Sequence, residues 1–260
     1  MLKVHYGAFH PDLEEAFTRR IRELAGERRA AAVIAPSRRL ADRLQHLLAV
    51  DKGLALMGVQ FHTFHSLAAA VTEGAWGGRR LVADPVFHDR VVDSLLAHQP
   101  DLSRIFGGES RPRALAGALR SSLRDLVDAG VSGTAVEEFF GDELLAQPDE
   151  RARLSALLHL GRAYEERLTR LRVLSPSDVT RLAGERAEDS AVLAAFHEIV
   201  YYGFYDLTGL QLEFFEAVCA HFPVRLYFPY RREHPAFRFA VPFFEQKLLA
   251  HGAEEVPRTE

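Results

Sequence analysis

The chain has 260 residues, of which 48% are hydrophobic and 26% charged, with a formal net charge of −4 at pH 7. This is an ordinary globular composition, long enough for one or two domains, and the negative charge argues against gripping nucleic acid by bulk electrostatics. The single cysteine, Cys219, excludes an internal disulfide. Together with the lack of an apolar leader or membrane-length apolar run, it predicts a cytoplasmic protein without a membrane segment.

The first predicted unit is a strand at Leu2–Tyr6, a loop that begins at Gly7, and a helix from Pro11 to Leu24. A strand, loop and helix in this order at the N-terminus is where a P-loop would bind nucleotide. Such a loop needs a Lys for the phosphates and a Ser or Thr for Mg²⁺.

This loop does not have those residues. If Gly7 is the first glycine of the pattern, Leu13 stands at the Lys position and Glu14 at the Ser/Thr position. Asp12 and Glu14 place carboxylates in the first helical turn, where they would repel phosphate. We predict a degenerate nucleotide site, with a strand–loop–helix unit that never bound nucleotide as the alternative.

A second strand, Ala31–Ala35, ends at Pro36 and precedes a predicted helix at Arg38–Val50. The Ser37 hydroxyl, the first helical amides and Arg38 could together bind one phosphate of a nucleic acid. The alternative is an ordinary helix N-cap beside a solvated arginine.

The third unit contains Thr63-Phe64-His65-Ser66-Leu67-Ala68 at a strand-to-helix junction. Thr63 could bond a phosphate, Phe64 could support a base and His65 could make a polar contact. A purely structural junction with Phe64 in the core is the alternative. His62 and His65 have a spacing seen in metal sites, but no third ligand follows at a readable spacing, so we predict no metal.

The middle of the chain, residues 81–190, shows helical periodicity and no convincing strand. The predicted helices are Val86–Ala97, Ala114–Ala129, Thr134–Leu145, Glu150–Leu171 and Ser177–Ala187. We therefore expect an all-helical segment between two groups of α/β units.

Ile199–Tyr202 is predicted to be a buried parallel strand that ends at Gly203. Asp206 or Thr208 then caps a helix that contains Gln211. In a P-loop ATPase a strand of this kind ends in an acidic pair that holds Mg²⁺. Tyr202 and Gly203 stand at that place here. A further strand at Val224–Tyr230 and a helix at Phe243–Ala250 complete the prediction.

The order of these segments resembles that of UvrD-type superfamily 1 helicases. Asp206 and Gln211 fit the tail of their second motif, Asp-Glu-x-Gln-Asp-Thr-x-x-x-Gln, while Tyr202 and Gly203 replace its Asp-Glu. The Pro-Ser and Thr-Phe-His-Ser-Leu-Ala segments are similar to their DNA-contact motifs. The Gly-Phe-x-Asp-x-Thr-x-x-Gln pattern is similar to AddB-type proteins, the helicase-like subunits of AddAB helicase–nucleases.

The resemblance implies an α/β fold, a P-loop NTPase (RecA-like) parallel sheet formed by residues 1–80 and 191–260, with an inserted all-helical subdomain at residues 81–190. It implies no catalytic residue and no cofactor in this chain, single-stranded DNA as a ligand, and a partner subunit with helicase and nuclease activity. It also implies that the chain is the N-terminal part of a longer protein. The predicted DNA contacts are Ser37, Arg38, Thr63, Phe64 and His65.

Two other classes stay open. The chain could be a protein-interaction scaffold that uses its acidic helical segment. It could also be an α/β enzyme that binds another phosphate-containing ligand where Asp206, Thr208, Ser37 and His65 converge at the edge of the sheet.

Overall fold

The computed structural model describes residues 2–106, 115–130, 148–232 and 234–257. The chain divides into two compact units, one formed by residues 1–73 with 180–260 and the other by residues 74–179. The sequence analysis places these divisions at 80/81 and 190/191. The predicted helix Thr134–Leu145 lies outside the described residues.

The strands of the first unit form an all-parallel sheet, as predicted. The order across this six-stranded sheet is β3-β2-β6-β7-β1-β8. In chain order, the strands of both units are β1 (Leu2–Gly7), β2 (Ala31–Ala35), β3 (Val59–Thr63), β4 (Arg80–Leu81), β5 (Val173–Leu174), β6 (Glu198–Tyr202), β7 (Val224–Pro229) and β8 (Glu254–Glu255).

The α-helices are α1 (Glu14–Gly26), α2 (Arg38–His46), α3 (Phe64–Thr72), α4 (Pro85–His98), α5 (Pro100–Phe106), α6 (Leu115–Asp128), α7 (Pro148–Arg170), α8 (Pro176–Arg186), α9 (Ala191–Ala194) and α10 (Gly209–His221). The sequence analysis does not predict α5 and α9; the others correspond to predicted helices, with shifts at their ends. Short helical turns span Phe9–Leu13, Leu47–Asp51 and Pro235–His251. The predicted helix at Phe243–Ala250 lies within the last of these stretches.

Both faces of the sheet are covered, which explains why its central strands are apolar throughout. Every residue of β2 and β6 is buried. Because neighbouring side chains of a strand point to opposite faces, Tyr202 packs against Phe17 of α1. Tyr201 packs on the other face, against Phe64 of α3 and Phe215 of α10.

The single cysteine lies on α10 and is half-buried. Burial raises the pKa of the Cys219 thiol to about 12, so the thiol is protonated at neutral pH. This environment agrees with a structural thiol that is packed against its neighbours.

The second unit contains α4 to α7 around a core that includes Leu96, Leu119 and Leu160. Inside it, the Tyr164 hydroxyl lies 2.6 Å from His88 Nδ1, and His88 Nε2 lies 2.6 Å from the carbonyl oxygen of Val82. The prediction that this region has no strand is wrong, because β4 and β5 pair in parallel. Each has two residues, too few to produce a detectable periodicity.

Within the described ranges, we find no helix with the length and apolar character needed to cross a bilayer.

Candidate functional site

Parallel pairing brings the carboxyl ends of β1, β2, β3, β6 and β7 to one edge of the sheet. In open α/β sheets this edge is where ligands usually bind. Gly7 lies opposite Pro229, and Tyr202 lies opposite Tyr227. The predicted nucleotide-site residues therefore follow strands that are near neighbours at this edge.

The loop after β1 is tightly wound. The Leu13 amide donates to the carbonyl oxygen of Ala8, 3.0 Å away, and the backbone of His10 is extended (φ −137°, ψ 138°). Helix α1 therefore begins at Glu14 and not at the predicted Pro11. Leu13, which the sequence analysis aligns with the lysine of a P-loop, is fully buried in the core under the sheet.

The space between the loop and the end of β6 is filled by side chains of the protein itself. The rings of Phe9 and Tyr202 lie 5.3 Å apart, and the Tyr202 hydroxyl donates to the carbonyl oxygen of Phe9 at 3.2 Å. A Cβ atom added at Gly203 would lie 3.0 Å from both Phe9 Cε2 and Leu40 Cδ2. A larger residue here would require Phe9 and Leu40 to shift, and the φ of +81° at Gly203 also favours glycine.

Glu14 occupies the N-terminal end of α1 and is buried. Its Oε2 accepts a hydrogen bond from Arg43 Nη2 of α2 at 3.0 Å, and its Oε1 lies 3.3 Å from His10 Nδ1. Asp12, two residues earlier, is also buried, with 4% exposure. The positive end of the helix is thus already facing carboxylates, which disfavours phosphate at this place.

Tyr202 and Gly203, which stand where the sequence analysis looks for an acidic pair, carry no carboxylate that could hold Mg²⁺. Burial raises the pKa of Tyr202 far above neutral pH, so the phenol stays uncharged. Asp206 is exposed in the loop after β6 and does not cap the next helix. Thr208 does so, in a reciprocal capping box with Gln211. Across the described ranges, no three His, Cys, Asp or Glu side chains are grouped to hold a metal ion.

The predicted DNA contacts of α2 lie at the exposed edge, but they already have local partners. The Ser37 hydroxyl accepts from the Leu40 amide at 3.2 Å, so it is the N-cap of α2. Arg38 is 76% exposed and its Nε lies 2.8 Å from Asp42 Oδ1. An exposed pair of this kind is weak and can exchange for a phosphate.

The third predicted segment is mainly structural. Thr63 and Ser66 form the capping box of α3. Phe64 is 5% exposed and packs against Tyr201, Phe204 and Phe214, so its ring fills the core and is not available to stack on a base. The core role that the sequence analysis gives as the alternative is therefore the one that the structure shows.

His65 differs from its neighbours because it is half-buried and its Nδ1 atom makes no hydrogen bond to any described residue. Desolvation lowers the pKa of His65, so the ring is neutral at physiological pH.

The sequence analysis does not assign a role to the exposed aromatic residues beyond β6 and β7. We call Tyr205, Phe237 and Phe239 the aromatic strip. The Tyr205 ring lies 6.4 Å from that of Phe237, with an angle of 29° between the planes, and 5.8 Å from that of Phe239. Tyr205 is 37% exposed and Phe239 61% exposed.

Three exposed arginines belong to the same stretch of chain as the aromatic strip: Arg231, Arg232 and Arg238. None of the three forms an ion pair with another described residue. The usable sequence signal is Phe237-Arg238-Phe239, which alternates aromatic and basic residues outside any strong helical or strand pattern. Aromatic rings beside arginines are the features that bind single-stranded nucleic acid.

No family model matches this sequence, and no curated protein matches it. The function is therefore inferred from the geometry of the site.

Proposed function

We propose that this chain is a non-catalytic, helicase-like module that binds single-stranded DNA. In this proposal the sheet is a RecA-like, P-loop-type sheet with degenerate nucleotide motifs, and residues 74–179 are its inserted helical subdomain. The module works within a larger recombination and repair assembly of the AddAB type, in which a partner subunit hydrolyses ATP.

The observation that carries the proposal is that the nucleotide position is occupied. Phe9, Tyr202 and Leu40 meet around Gly203, where phosphates and Mg²⁺ would lie between the ends of β1 and β6. A buried carboxylate, Glu14, faces the helix N-terminus. Phosphate binding would require expelling packed aromatic side chains and bringing anions next to that carboxylate.

The DNA surface is proposed at the same edge of the sheet. Tyr205 and Phe239 present ring faces to solvent, and Arg231, Arg232 and Arg238 supply positive charge nearby. Stacking of a base on an aromatic side chain contributes about 1–3 kcal/mol. The contacts proposed for Ser37 and Arg38 lie along this edge too, because β2 and β6 are neighbouring parallel strands.

The test is a titration of the 260-residue chain with ATP and Mg²⁺ and, separately, with fluorescent single-stranded DNA at two salt concentrations. We expect no micromolar, Mg²⁺-dependent binding of ATP, and DNA binding that weakens as salt rises. Mg²⁺-dependent ATP binding in the micromolar range would contradict the occupied site. Lack of salt-sensitive DNA binding would contradict the proposed DNA surface.

A further inference from the structure

A recess of about 370 Å³ opens at the carboxyl ends of β1 and β7, next to the filled nucleotide position. This volume is in the range of small-molecule sites in proteins. It is lined by Gly7 and Ala8 and, after β7, by His234 and two arginines, Arg231 and Arg232, which we call the arginine wall.

The arginine wall is suited to a phosphate group. Arg231 and Arg232 are exposed, and within the described part of the chain neither has an ion-pair partner. Guanidinium groups bind phosphate through paired, charge-assisted hydrogen bonds. The two side chains are therefore able to turn toward one anion without breaking an existing ion pair among the described residues.

Asp12 and Glu255 also line the recess. They accept hydrogen bonds and repel anions, so a ligand that is anionic on all sides does not fit. A terminal nucleotide fits better, because its phosphomonoester is at one end and the amino donors of its base are at the other.

The recess adjoins the aromatic strip. The His234 ring lies 5.7 Å from that of Phe237, which in turn stacks near Tyr205. Single-stranded DNA whose bases stack on the aromatic strip therefore lies next to the recess.

We propose that the recess binds the phosphorylated end of the single strand, with Arg231 and Arg232 holding the terminal phosphomonoester and the carboxylates accepting from the terminal nucleotide. This inference rests on the proposed DNA binding. A terminal phosphomonoester carries a charge of about −1.5 to −2 at pH 7, more than the single charge of an internal diester, which favours the end over the middle of the strand.

The experiment uses the full chain and three internally labelled oligonucleotides of one sequence, with a 5′-phosphate, a 3′-phosphate or neither. We expect one phosphorylated strand to bind about tenfold more tightly than the unphosphorylated one. This is the gain in affinity that one or two charge-assisted hydrogen bonds contribute. The double variant Arg231→Ala/Arg232→Ala should bind all three oligonucleotides with the same affinity, weaker than the affinity of the parent protein for the phosphorylated strand. The control Arg19→Ala/Arg22→Ala removes two exposed arginines of α1 and should retain the preference.

The outcomes separate this inference from the proposed function. Equal binding of all three oligonucleotides overturns the end-binding recess and leaves DNA binding intact, whereas failure to bind any of them overturns the DNA-binding proposal itself. A deoxynucleoside monophosphate that competes as strongly as the phosphorylated strand would overturn the assignment to a strand end, since the recess would then be a site for free nucleotides.

Discussion

The hydroxyl of Tyr202 donates a hydrogen bond to the carbonyl oxygen of Phe9, 3.2 Å away, across 193 positions of sequence. This bond joins the end of β6 to the loop after β1. A nucleotide-binding site would need these two segments to remain apart around a ligand. Here they are held together by a polar contact and by ring packing between the same two residues.

Tyr202→Phe tests the polar part of that contact. The variant leaves the Phe9 carbonyl oxygen without this donor, so the free energy of unfolding should fall by about 1 kcal/mol. Urea denaturation measures it. Tyr227→Phe is a matched control, because its hydroxyl donates to the Ala16 carbonyl oxygen at 3.3 Å, away from the loop. We expect no gain of ATP binding, since the ring remains; such a gain would show that the hydroxyl alone closes the site.

Gly203→Ala tests the close approach. The left-handed backbone alone costs a non-glycine residue about 1–2 kcal/mol, and the new Cβ would also press on Phe9 and Leu40. Gly252→Ala is the matched control, with φ +74° and no heavy atom within 4 Å of the added Cβ. Thermal or urea unfolding should show the larger loss for Gly203→Ala, and equal losses would mean that the loop yields to the methyl group.

Glu198→Ala tests a buried ion network under α1. The Glu198 carboxylate accepts from Arg20 Nε at 2.7 Å and from Arg225 Nε at 2.8 Å, with only 7% of the side chain exposed. Its removal leaves two part-buried guanidinium groups without their carboxylate, and we expect unfolding to become easier by about 3–5 kcal/mol.

The control for the ion network is Glu27→Ala, which breaks the exposed pair with Arg29. Its effect should stay within about 0–1 kcal/mol. Similar losses for the two variants, measured by chemical denaturation, would show that burial adds nothing to the network at Glu198.

Phe239→Ala tests the aromatic strip. Loss of one stacking face should weaken binding of single-stranded DNA by about 1–3 kcal/mol, while the free energy of unfolding stays within about 0.5 kcal/mol because the ring is exposed. Met57→Ala is the control, as Met57 is 86% exposed and is not part of the strip. Fluorescence anisotropy at one salt concentration measures the affinity for single-stranded DNA. An unchanged affinity in Phe239→Ala would show that the DNA does not bind at the aromatic strip.

Acid should destabilise the fold through His5. Desolvation and then the Arg225 guanidinium lower the pKa of His5, whose Nε2 accepts from Arg225 Nη1 at 2.6 Å. The unfolded state therefore binds the proton more readily, and the stabilising contribution of neutral His5 is lost as pH falls below about 6.5.

Burial lowers the pKa values of His62 and His65 as well, so the effects add. Urea unfolding between pH 5 and 7.5 should show a smaller pH dependence for His5→Gln than for the parent protein. The exposed His46→Gln serves as the control. An unchanged pH dependence in His5→Gln would exclude His5 as a source of the effect.

The parallel sheet could be predicted from sequence because β2 and β6 are continuous apolar runs, a pattern that belongs to strands covered on both faces. The caps at Ser37 and Thr208 also follow from local residue preferences. The sequence does not show which face of a junction is buried, so Phe64 fitted a base contact and a core position equally well.

The Glu198 network and the aromatic strip depend on long-range pairing, and no local pattern reports it. Arg20 and Glu198 are 178 positions apart, and Tyr205 meets Phe237 only after β6 and β7 are aligned. Local residue preferences do not encode contacts between residues so far apart in the sequence. The lack of a lysine in the loop after β1 is visible in the sequence without a fold, and the degenerate nucleotide site stays a prediction.

The reactivity of Cys219 reports on the separation of α10 from the sheet. A thiolate is the form that reacts with disulfide reagents, and a thiol with a pKa of about 12 supplies almost none of it at neutral pH. Modification of the folded protein should therefore be slow at neutral pH and should accelerate under conditions in which α10 separates from the sheet. Labelling rates compared between native and mildly denaturing conditions report on that separation at a residue the protein already has.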